Sequence, residues 1–490
     1  MVRYALARYH TLRWLRSHLM KNTSKSKKAD LLIKDIGWLI TVDKGRRIIR
    51  DAAIAVTKGR ITAIGKSAEL EAAFAADKVV DAKGAVATPG FVDCHLHSSF
   101  HLSRGLADEA NAQSFLFDRM YPYEAALEQE DVKVSATHAC AELLRHGVTT
   151  FIDPGNYHPE ASVAAAKATG IRTVAGRSSF DLTKSVMGLL PARMIEDTAV
   201  CLKGAEEVLE KYCKTGDDRL KASASFRGLN NASDELIKGL KKLADKYDTL
   251  LQTHACFSYS THDGCVSRCG LAEIERMDAL GVLDERMLVV HSGWLEPQEV
   301  AMIAKRKPSL VCAPSSSLHN GYGNFVVGKI PELMAFGVNV SLGSDHASSG
   351  IVDMTQEMRL AACGYKEVRM NPRVMPPEHA IEMATINGAK SALWDSEIGS
   401  IEVGKAADIV LFDTMRPEWQ PLINPVSNLV YSATGDSVRD VFVAGEQVVA
   451  GGRLTKIDEL ALYREIPETV ARFSKRLKMD EIVTLKWPVS

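Results

Sequence analysis

The stretch Thr88-Pro-Gly-Phe-Val-Asp-Cys-His-Leu-His97 predicts the fold more directly than any other part of the chain. It is an apolar run that ends in two histidines separated by a single residue. Because side chains alternate along a β-strand, His95 and His97 point to the same side of the strand end. In a (β/α)₈ barrel, the carboxyl ends of the strands form the face that carries the chemistry. The stretch therefore predicts a barrel strand with two candidate metal ligands.

The sequence that follows repeats the order strand, loop, helix. Candidate strands end at Asp93, Asp153, Phe180, Phe226, Thr253, Val290, Ala313 and Leu342. Helical stretches separate them, and residues 131–145 show the apolar spacing of an amphipathic helix on a barrel exterior. Eight such units predict an α/β protein with a (β/α)₈ TIM barrel rather than an open sheet.

Both flanks of this region contain short apolar or alternating runs separated by turn-forming residues. A few strands alone bury too little apolar surface, so the two chain ends are predicted to pair in a small β-sandwich. The expected organisation is an N-terminal extension (1–28), a first sandwich part (29–88), the metal-binding barrel (89–395), a second sandwich part (396–455) and a C-terminal helical segment (456–490).

Composition excludes several classes of function. The 490 residues include 60 Lys and Arg against 61 Asp and Glu, so the net charge is close to zero. Such a charge does not favour electrostatic binding to nucleic acid or to an anionic membrane. The sequence contains no run of 18 apolar residues, so no transmembrane helix is predicted. The nine scattered cysteines indicate reduced thiols and a cytoplasmic location. The Arg-rich start of the chain fits a plain extension better than a targeting or membrane-surface helix, which stays an alternative.

Three further residues stand at the same kind of position as the two histidines. His254, His291 and Asp345 each follow an apolar run that is predicted to be a barrel strand. Imidazole and carboxylate ligands suit a divalent metal such as zinc. A lone histidine is more often a satisfied core residue, but titratable residues at four strand ends favour a metal site.

The chain resembles the amidohydrolase superfamily, and within it the branch that contains S-adenosylhomocysteine deaminases and triazine chlorohydrolases. The resemblance spans about 29–455 and is carried by His254, His291 and the segments 89–97, 104–108, 143–150, 342–345, 353–362, 384–390 and 399–411.

The resemblance implies one divalent metal ion, zinc in the first place and iron, cobalt or manganese otherwise, with four ligands: His95, His97, His254 and Asp345. Asp345 would also take the proton of the attacking water, and His291 would assist catalysis beside the metal. No lysine ends the predicted fourth strand, where binuclear relatives place a carboxylated bridging lysine. The resemblance also implies a homo-oligomer, a dimer or larger.

Three segments depart from the deaminases of this branch. Phe257 stands where those deaminases carry a glutamate that protonates a ring nitrogen. Residues 225–228 replace a Pro-His-Ala sequence, and residues 313–317 replace Asn-Pro-x-Ser-Asn. These changes make adenosine deamination less favoured than attack on an exocyclic carbonyl.

Aromatic residues occur instead near the predicted loops of the catalytic face. Five of them are predicted to line an apolar substrate pocket: Phe100, Phe117, Phe257, Trp294 and Tyr322. Packing of the loops themselves is the alternative role. Residues 100–109 also resemble phenylurea and thiocarbamate herbicide hydrolases, although those carry Asn-x-His in place of His95-Leu-His97.

The first functional prediction is metal-dependent hydrolysis of a C–N bond in an amide, urea or carbamate of a small molecule. The alternative is deamination of a nucleoside or N-heterocycle such as S-adenosylhomocysteine or adenosine, with His262, Asp263 or a water as proton donor. Triazine-type dechlorination is a third prediction. A non-catalytic barrel is disfavoured because the full set of candidate ligands is present. The expected partner is a small molecule, with no nucleic acid and no membrane.

Overall fold

A computed structural model describes residues 26–182, 184–185, 188–483 and 486–487. The first strand begins at Lys27. The predicted N-terminal extension therefore lies, for residues 1–25, outside the described part of the chain.

The strands of the described residues alternate with helices through the middle of the chain. They are β1 Lys27–Ile40, β2 Ile48–Thr57, β3 Arg60–Lys66, β4 Phe74–Asp81, β5 Val86–Pro89, β6 Phe91–Asp93, β7 Val148–Ile152, β8 Arg172–Ala175, β9 Lys184–Ser185, β10 Gly188–Leu189, β11 Leu220–Ala222, β12 Ala224–Gly228, β13 Leu251–Ala255, β14 Met287–His291, β15 Ser309–Cys312, β16 Val340–Leu342, β17 Ile409–Phe412, β18 Val438–Val443, β19 Glu446–Ala450 and β20 Arg453–Leu454.

The helices of the same residues are mostly short. They are α1 Ser67–Ala73, α2 Ala112–Ser114, α3 Tyr121–Ala126, α4 Gln129–Arg145, α5 Pro159–Thr169, α6 Thr198–Cys213, α7 Asp234–Lys246, α8 Tyr259–Cys269, α9 Glu273–Ala279, α10 Pro297–Arg306, α11 Pro314–His319, α12 Asn324–Val327, α13 Ile330–Ala335, α14 Met354–Val368, α15 Pro377–Met383, α16 Ile386–Ser391, α17 Pro425–Tyr431, α18 Glu459–Leu477 and α19 Met479–Ile482. Single 3₁₀ turns lie at Ser98–Phe100, Ala192–Met194, Ala347–Ser349, Pro417–Trp419 and Gly435–Ser437, and a π-helical turn lies at Phe115–Met120.

Parallel strands form the central barrel. One sheet has the order β11-β8-β7-β6 and the other the order β12-β13-β14-β15-β16. Only Ser223 separates β11 from β12, so one interrupted strand joins the two sheets. On the opposite side the Cys94 N–H donates to the Leu342 carbonyl at 2.9 Å, and Leu96 forms a parallel bridge with Asp345. The predicted TIM barrel is confirmed.

The strand ends agree with the sequence except at the third strand. Seven of them lie within two residues of the predicted position, whereas β8 ends at Ala175 and not at Phe180. The prediction included Phe180 because an apolar residue is typical of a buried strand. Phe180 is indeed fully buried, but it packs in a cluster with Tyr121 and Leu190 beyond the end of the strand. The fourth strand continues to Gly228, so Arg227 belongs to β12.

The two ends of the chain share one sheet. Its order is β20-β19-β18-β17-β5-β1-β2-β3, with β4 also paired to β1, and β5 joins the N-terminal strands to β17. The Ile61 N–H donates to the Lys405 carbonyl at 2.9 Å, which brings the far edge back toward β17. The sheet thereby encloses an apolar core that includes Ile33, Ile54 and Leu411. The predicted pairing of the two ends is confirmed.

Gly90 is the one residue between the sandwich and the first barrel strand. A Cβ atom at this position would lie 2.1 Å from Thr149 Oγ1, so only glycine fits where β5 passes into β6.

The C-terminal helix α18 lies against the barrel, where Phe473 packs edge-on against Tyr123 at 5.3 Å. Within the described residues, no helix has both the length and the apolar character needed to cross a membrane.

Candidate active site

Four side chains that the sequence separates by up to 250 residues meet at the carboxyl ends of the barrel strands. His95 Nε2 lies 3.1 Å from Asp345 Oδ1, and His97 Nε2 lies 3.7 Å from the same oxygen. His97 Nε2 also lies 3.1 Å from His254 Nε2. One ligand atom from each of these four residues lies within 4.8 Å of the others.

Hydrogen bonds behind the cluster orient two of its residues. His254 Nδ1 donates to the Arg227 carbonyl at 2.7 Å, which leaves Nε2 directed toward His97. Ser316 Oγ donates to Asp345 Oδ2 at 2.6 Å, so Oδ1 is the oxygen that faces the histidines. Below them, the Asp93 carboxylate accepts the backbone N–H groups of His95 and Ser344 at 3.1 Å and joins the first strand end to the last.

Electrostatics disfavour the charged forms of His97 and His254 and favour the ionised form of Asp345. Burial lowers the pKa of His97 and of His254 well below the ordinary value, and neighbouring imidazoles and the Arg227 guanidinium lower it further. Burial alone would raise the pKa of Asp345, but His346 and His95 outweigh it and hold this pKa well below its usual range. Three imidazoles and one carboxylate are a donor set that fits a divalent transition metal.

His291 lies next to this cluster at the end of β14. Its Nε2 is 3.9 Å from Asp345 Oδ2, and burial lowers its pKa to about 4. The backbone of His291 has φ 81° and that of Asp345 has φ 68°, a region that non-glycine residues rarely adopt. Such strained residues concentrate at functional sites.

The cluster opens into a cavity, called the catalytic cavity below. His97, His254, His291 and Asp345 line it, together with four of the five predicted pocket residues: Phe100, Phe117, Phe257 and Tyr322. The fifth, Trp294, is not in the lining, because its Nε1 donates to the Tyr322 carbonyl at 2.8 Å and its ring packs against Tyr259. Trp294 supports the wall from behind.

Residues 86–448 match the model of the amidohydrolase family. This chain belongs to that family. It is 30% identical to a 5-methylthioadenosine/S-adenosylhomocysteine deaminase of Syntrophobacter fumaroxidans, over 92% of this chain and 99% of the relative. It is 28% identical to a 5'-deoxyadenosine deaminase of Methanosarcina acetivorans, over 89% and 96% of the two chains.

Solved structures show the same fold. A zinc-bound adenosine deaminase from Xanthomonas campestris superposes with a TM-score of 0.84 at 27% identity, over 92% of this chain and all of that chain. A triazine hydrolase variant superposes with a TM-score of 0.83 at 21% identity, over 90% and 99% of the two chains, which bears on the fold alone. The predicted family and enzyme class are confirmed: the protein is a metal-dependent hydrolase that acts on C–N bonds.

Several other polar residues at the catalytic cavity were not predicted from the sequence. Arg227 Nη2 lies 2.7 Å from both carboxylate oxygens of Glu124, and Nη1 lies 3.2 Å from His97 Nδ1. Glu273 and the neighbouring Asn230 and Asn231 also line the cavity. Only Arg227 gave a signal, as a charged residue directly after the predicted strand end at Phe226.

The two side chains predicted as alternative proton donors lie elsewhere. Asp263 is exposed, and neither it nor His262 lines the catalytic cavity. His262 is buried with its ring nitrogens 3.7 Å from Glu296 and 3.9 Å from Glu299. Neither residue is placed to reach a substrate beside Asp345.

Proposed function

We propose that this amidohydrolase is a mononuclear aminohydrolase that removes the exocyclic amino group of a nucleoside or related N-heterocycle as ammonia. The observation that carries the proposal is the cluster of three histidines and one aspartate at the catalytic cavity. It occurs in a chain whose relatives are named deaminases of 5-methylthioadenosine, S-adenosylhomocysteine and 5'-deoxyadenosine. These relatives favour the deaminase alternative over the amide, urea or carbamate prediction.

One metal ion would be held by His95, His97, His254 and Asp345. Zinc is proposed because the donors are mostly imidazoles and the Xanthomonas relative binds zinc, while iron, cobalt or manganese would also suit these ligands. When bound, the metal lowers the pKa of a water to ~7 and so supplies a nucleophile near neutral pH. The Arg227 guanidinium beside His97 opposes a second cation, which supports a single metal.

Two residues of the chain would handle protons and charge. Asp345 would take a proton from the attacking water and deliver it to the departing amine. The Ser316 hydroxyl fixes the carboxylate by donating to Oδ2, so that Oδ1 and Oδ2 keep separate partners. His291 would donate a hydrogen bond to the oxygen on which negative charge develops.

The cavity presents both apolar ring surface and polar groups to a heterocyclic substrate. The rings of Phe257 and Tyr322 lie 5.4 Å apart and present apolar surface for a planar ring. Within the described residues, Asn230 Oδ1 and Asn231 Nδ2 are buried without a hydrogen-bond partner. Because an unpaired buried polar atom is costly, these amides favour a polar substrate that supplies the missing bonds.

The test is a paired measurement on purified protein. Metal content is determined by elemental analysis, and ammonia release is measured with adenosine, 5-methylthioadenosine, S-adenosylhomocysteine and 5'-deoxyadenosine. Aryl amides, phenylureas and carbamates are the comparison substrates. We expect about one metal per chain and ammonia from a nucleoside. Amine release from the comparison substrates without ammonia from any nucleoside would overturn the proposal.

A second candidate function is supported by one observation. Phe257 places an aromatic ring 5.4 Å from His291, where a carboxyl donor was expected for ring chemistry. An amide, urea or carbamate needs only protonation of its leaving nitrogen, which Asp345 alone would provide. The same substrate panel separates the two functions, and chloride release from a chlorotriazine tests dechlorination.

We further propose a homo-oligomer, a dimer or larger, in the cytoplasm. All nine cysteines are free thiols, which supports a reducing compartment. Light scattering after size-exclusion chromatography measures the oligomeric state, and a monomer would contradict it.

A further inference from the structure

The catalytic cavity lacks a carboxyl group at the position where the deaminase resemblance expects one. Phe257, three residues after His254, occupies that position and lines the cavity. Removal of an amino group from an aromatic ring requires a proton on the ring nitrogen, and a phenyl ring supplies none. A deaminase built on this chain therefore needs another acid in contact with the same cavity.

Glu273 brings a carboxyl group to this cavity from a different element. It is the first residue of α9, it is 2% exposed, and it lines the cavity together with His254, His291 and Asp345. Its Oε2 accepts the backbone N–H of Cys256 at 2.7 Å. Cys256 directly precedes Phe257, so the carboxyl lies beside the segment from which the expected glutamate is missing.

The surroundings of Glu273 favour its protonated form. Burial raises its pKa to about 7, and the neighbouring Glu299 carboxyl also raises it, against the lowering effects of the hydrogen bonds from Cys256 and of the Arg276 charge. Arg276 does not pair with Glu273, because its guanidinium bonds Asp234 and the carbonyls of Leu229 and Ala232. Because no cationic side chain in the described part of the chain hydrogen-bonds this carboxyl, it is available as an acid near neutral pH.

We propose that Glu273 is the proton donor to the substrate ring nitrogen and replaces the carboxyl group absent at position 257. This inference rests on the proposed aminohydrolase function. The water oxygen bonds to the ring carbon while Asp345 takes one water proton and Glu273 protonates the adjacent ring nitrogen. The C–N bond to the exocyclic amine then breaks, and ammonia leaves with the proton from Asp345. The remaining hydroxyl proton returns to the Glu273 carboxylate, which leaves a ring carbonyl and a ring N–H.

The test compares the variant Glu273→Gln with the wild type in the ammonia-release assay. A glutamine oxygen still accepts the Cys256 N–H, so the loop bond is kept while the ionisable proton is lost. We expect kcat to fall by about 10²- to 10⁴-fold, the usual range for a lost general acid, with metal content and thermal unfolding temperature unchanged. In the double variant Phe257→Glu with Glu273→Gln, the restored carboxyl is expected to recover part of the lost turnover.

Glu275→Gln is the matched control. Glu275 is the next carboxyl on α9; it accepts the N–H group of Ala272 and does not line the cavity. We expect this variant to keep wild-type turnover. Wild-type turnover in Glu273→Gln, or an equal loss in Glu275→Gln, would overturn the donor role and leave the proposed function standing. A wild-type protein that releases no ammonia from any nucleoside would overturn both.

Discussion

At the scale of single residues, Asp345 is proposed to connect the metal site to proton transfer. Its Oδ1 is near the imidazoles of His95 and His97, and its Oδ2 accepts the Ser316 hydroxyl and faces His291. The two oxygens therefore have different environments. One is suited to binding a metal and the other to receiving and releasing a proton.

The substitution Asp345→Asn removes both the negative ligand and the proton acceptor. We expect kcat to fall by at least ~10²-fold and the metal content of purified protein to drop. Asp108→Asn, which changes an exposed aspartate paired with His319, is the control and should leave both quantities unchanged. Retained turnover in Asp345→Asn would contradict the assigned role.

Arg227 and Glu124 form a buried ion pair at the edge of the cavity, with side chains 7% and 2% exposed. Glu124→Gln leaves the buried guanidinium without a counter-charge. We expect a loss of about 3–5 kcal/mol in the free energy of unfolding, measured by chemical denaturation.

The matched control for this pair is Glu128→Gln, which breaks the half-exposed pair between Arg193 and Glu128. An exposed pair contributes about 0–1 kcal/mol, so this variant should unfold close to the wild type. Equal losses in the two variants would contradict the importance of burial.

The sequence predicted the four candidate ligands because each follows an apolar strand. It did not predict Glu273 or Glu124, since each is carried by a helix whose own pattern is ordinary. Their importance depends on contacts with Cys256 and Arg227, and no local spacing encodes such contacts.

At the scale of elements, helix α14 carries a buried carboxyl under the loop that begins α11. Glu357 Oε2 accepts the Ser315 N–H at 3.0 Å, and burial raises its pKa from the ordinary 4.5 to about 8. The folded chain therefore holds this proton at pH values where the unfolded chain has released it.

This pKa shift predicts a pH-dependent stability. Because the folded state binds more protons than the unfolded state between about pH 4.5 and 8, the contribution of Glu357 to stability falls as the pH rises through this window. Glu357→Gln should lack this contribution, so the unfolding temperature of the wild type should fall relative to the variant toward pH 8. A constant difference between the two across the window would contradict the buried, protonated state.

Element boundaries could be predicted where the apolar run and the strand end together. They end together at Asp93 and Leu342, and the sequence placed both strand ends. They separate after β8, where Phe180 stays buried beyond the strand, and in the loop after β14, where Trp294 is turned away from the cavity. Apolar residues in a sequence indicate which positions are buried. They do not indicate which surface of the protein a buried side chain faces.

At the scale of the whole molecule, barrel closure assembles the site. The bridge between Leu96 and Asp345 pairs the end of the first strand with the end of the last. The His-x-His motif therefore meets an aspartate distant in sequence without any local signal linking them. The repeated βα order predicted this closure, and closure predicted that the candidate ligands converge.

Metal removal tests this assembly in the intact protein. Dialysis against a chelator should abolish turnover and lower the unfolding temperature, because a metal that binds only the folded state stabilises it. Addition of zinc should restore both quantities. An unfolding temperature unaffected by chelation and by added zinc would contradict a metal held by the four residues.

The most direct test of the central claim is ammonia release from adenosine-type nucleosides by the purified protein, with its metal counted in the same sample. The proposed function predicts about one metal per chain and ammonia in step with loss of the amino nucleoside. Metal-loaded protein that releases no ammonia from these nucleosides, yet frees amines from aryl amides or phenylureas, would contradict it.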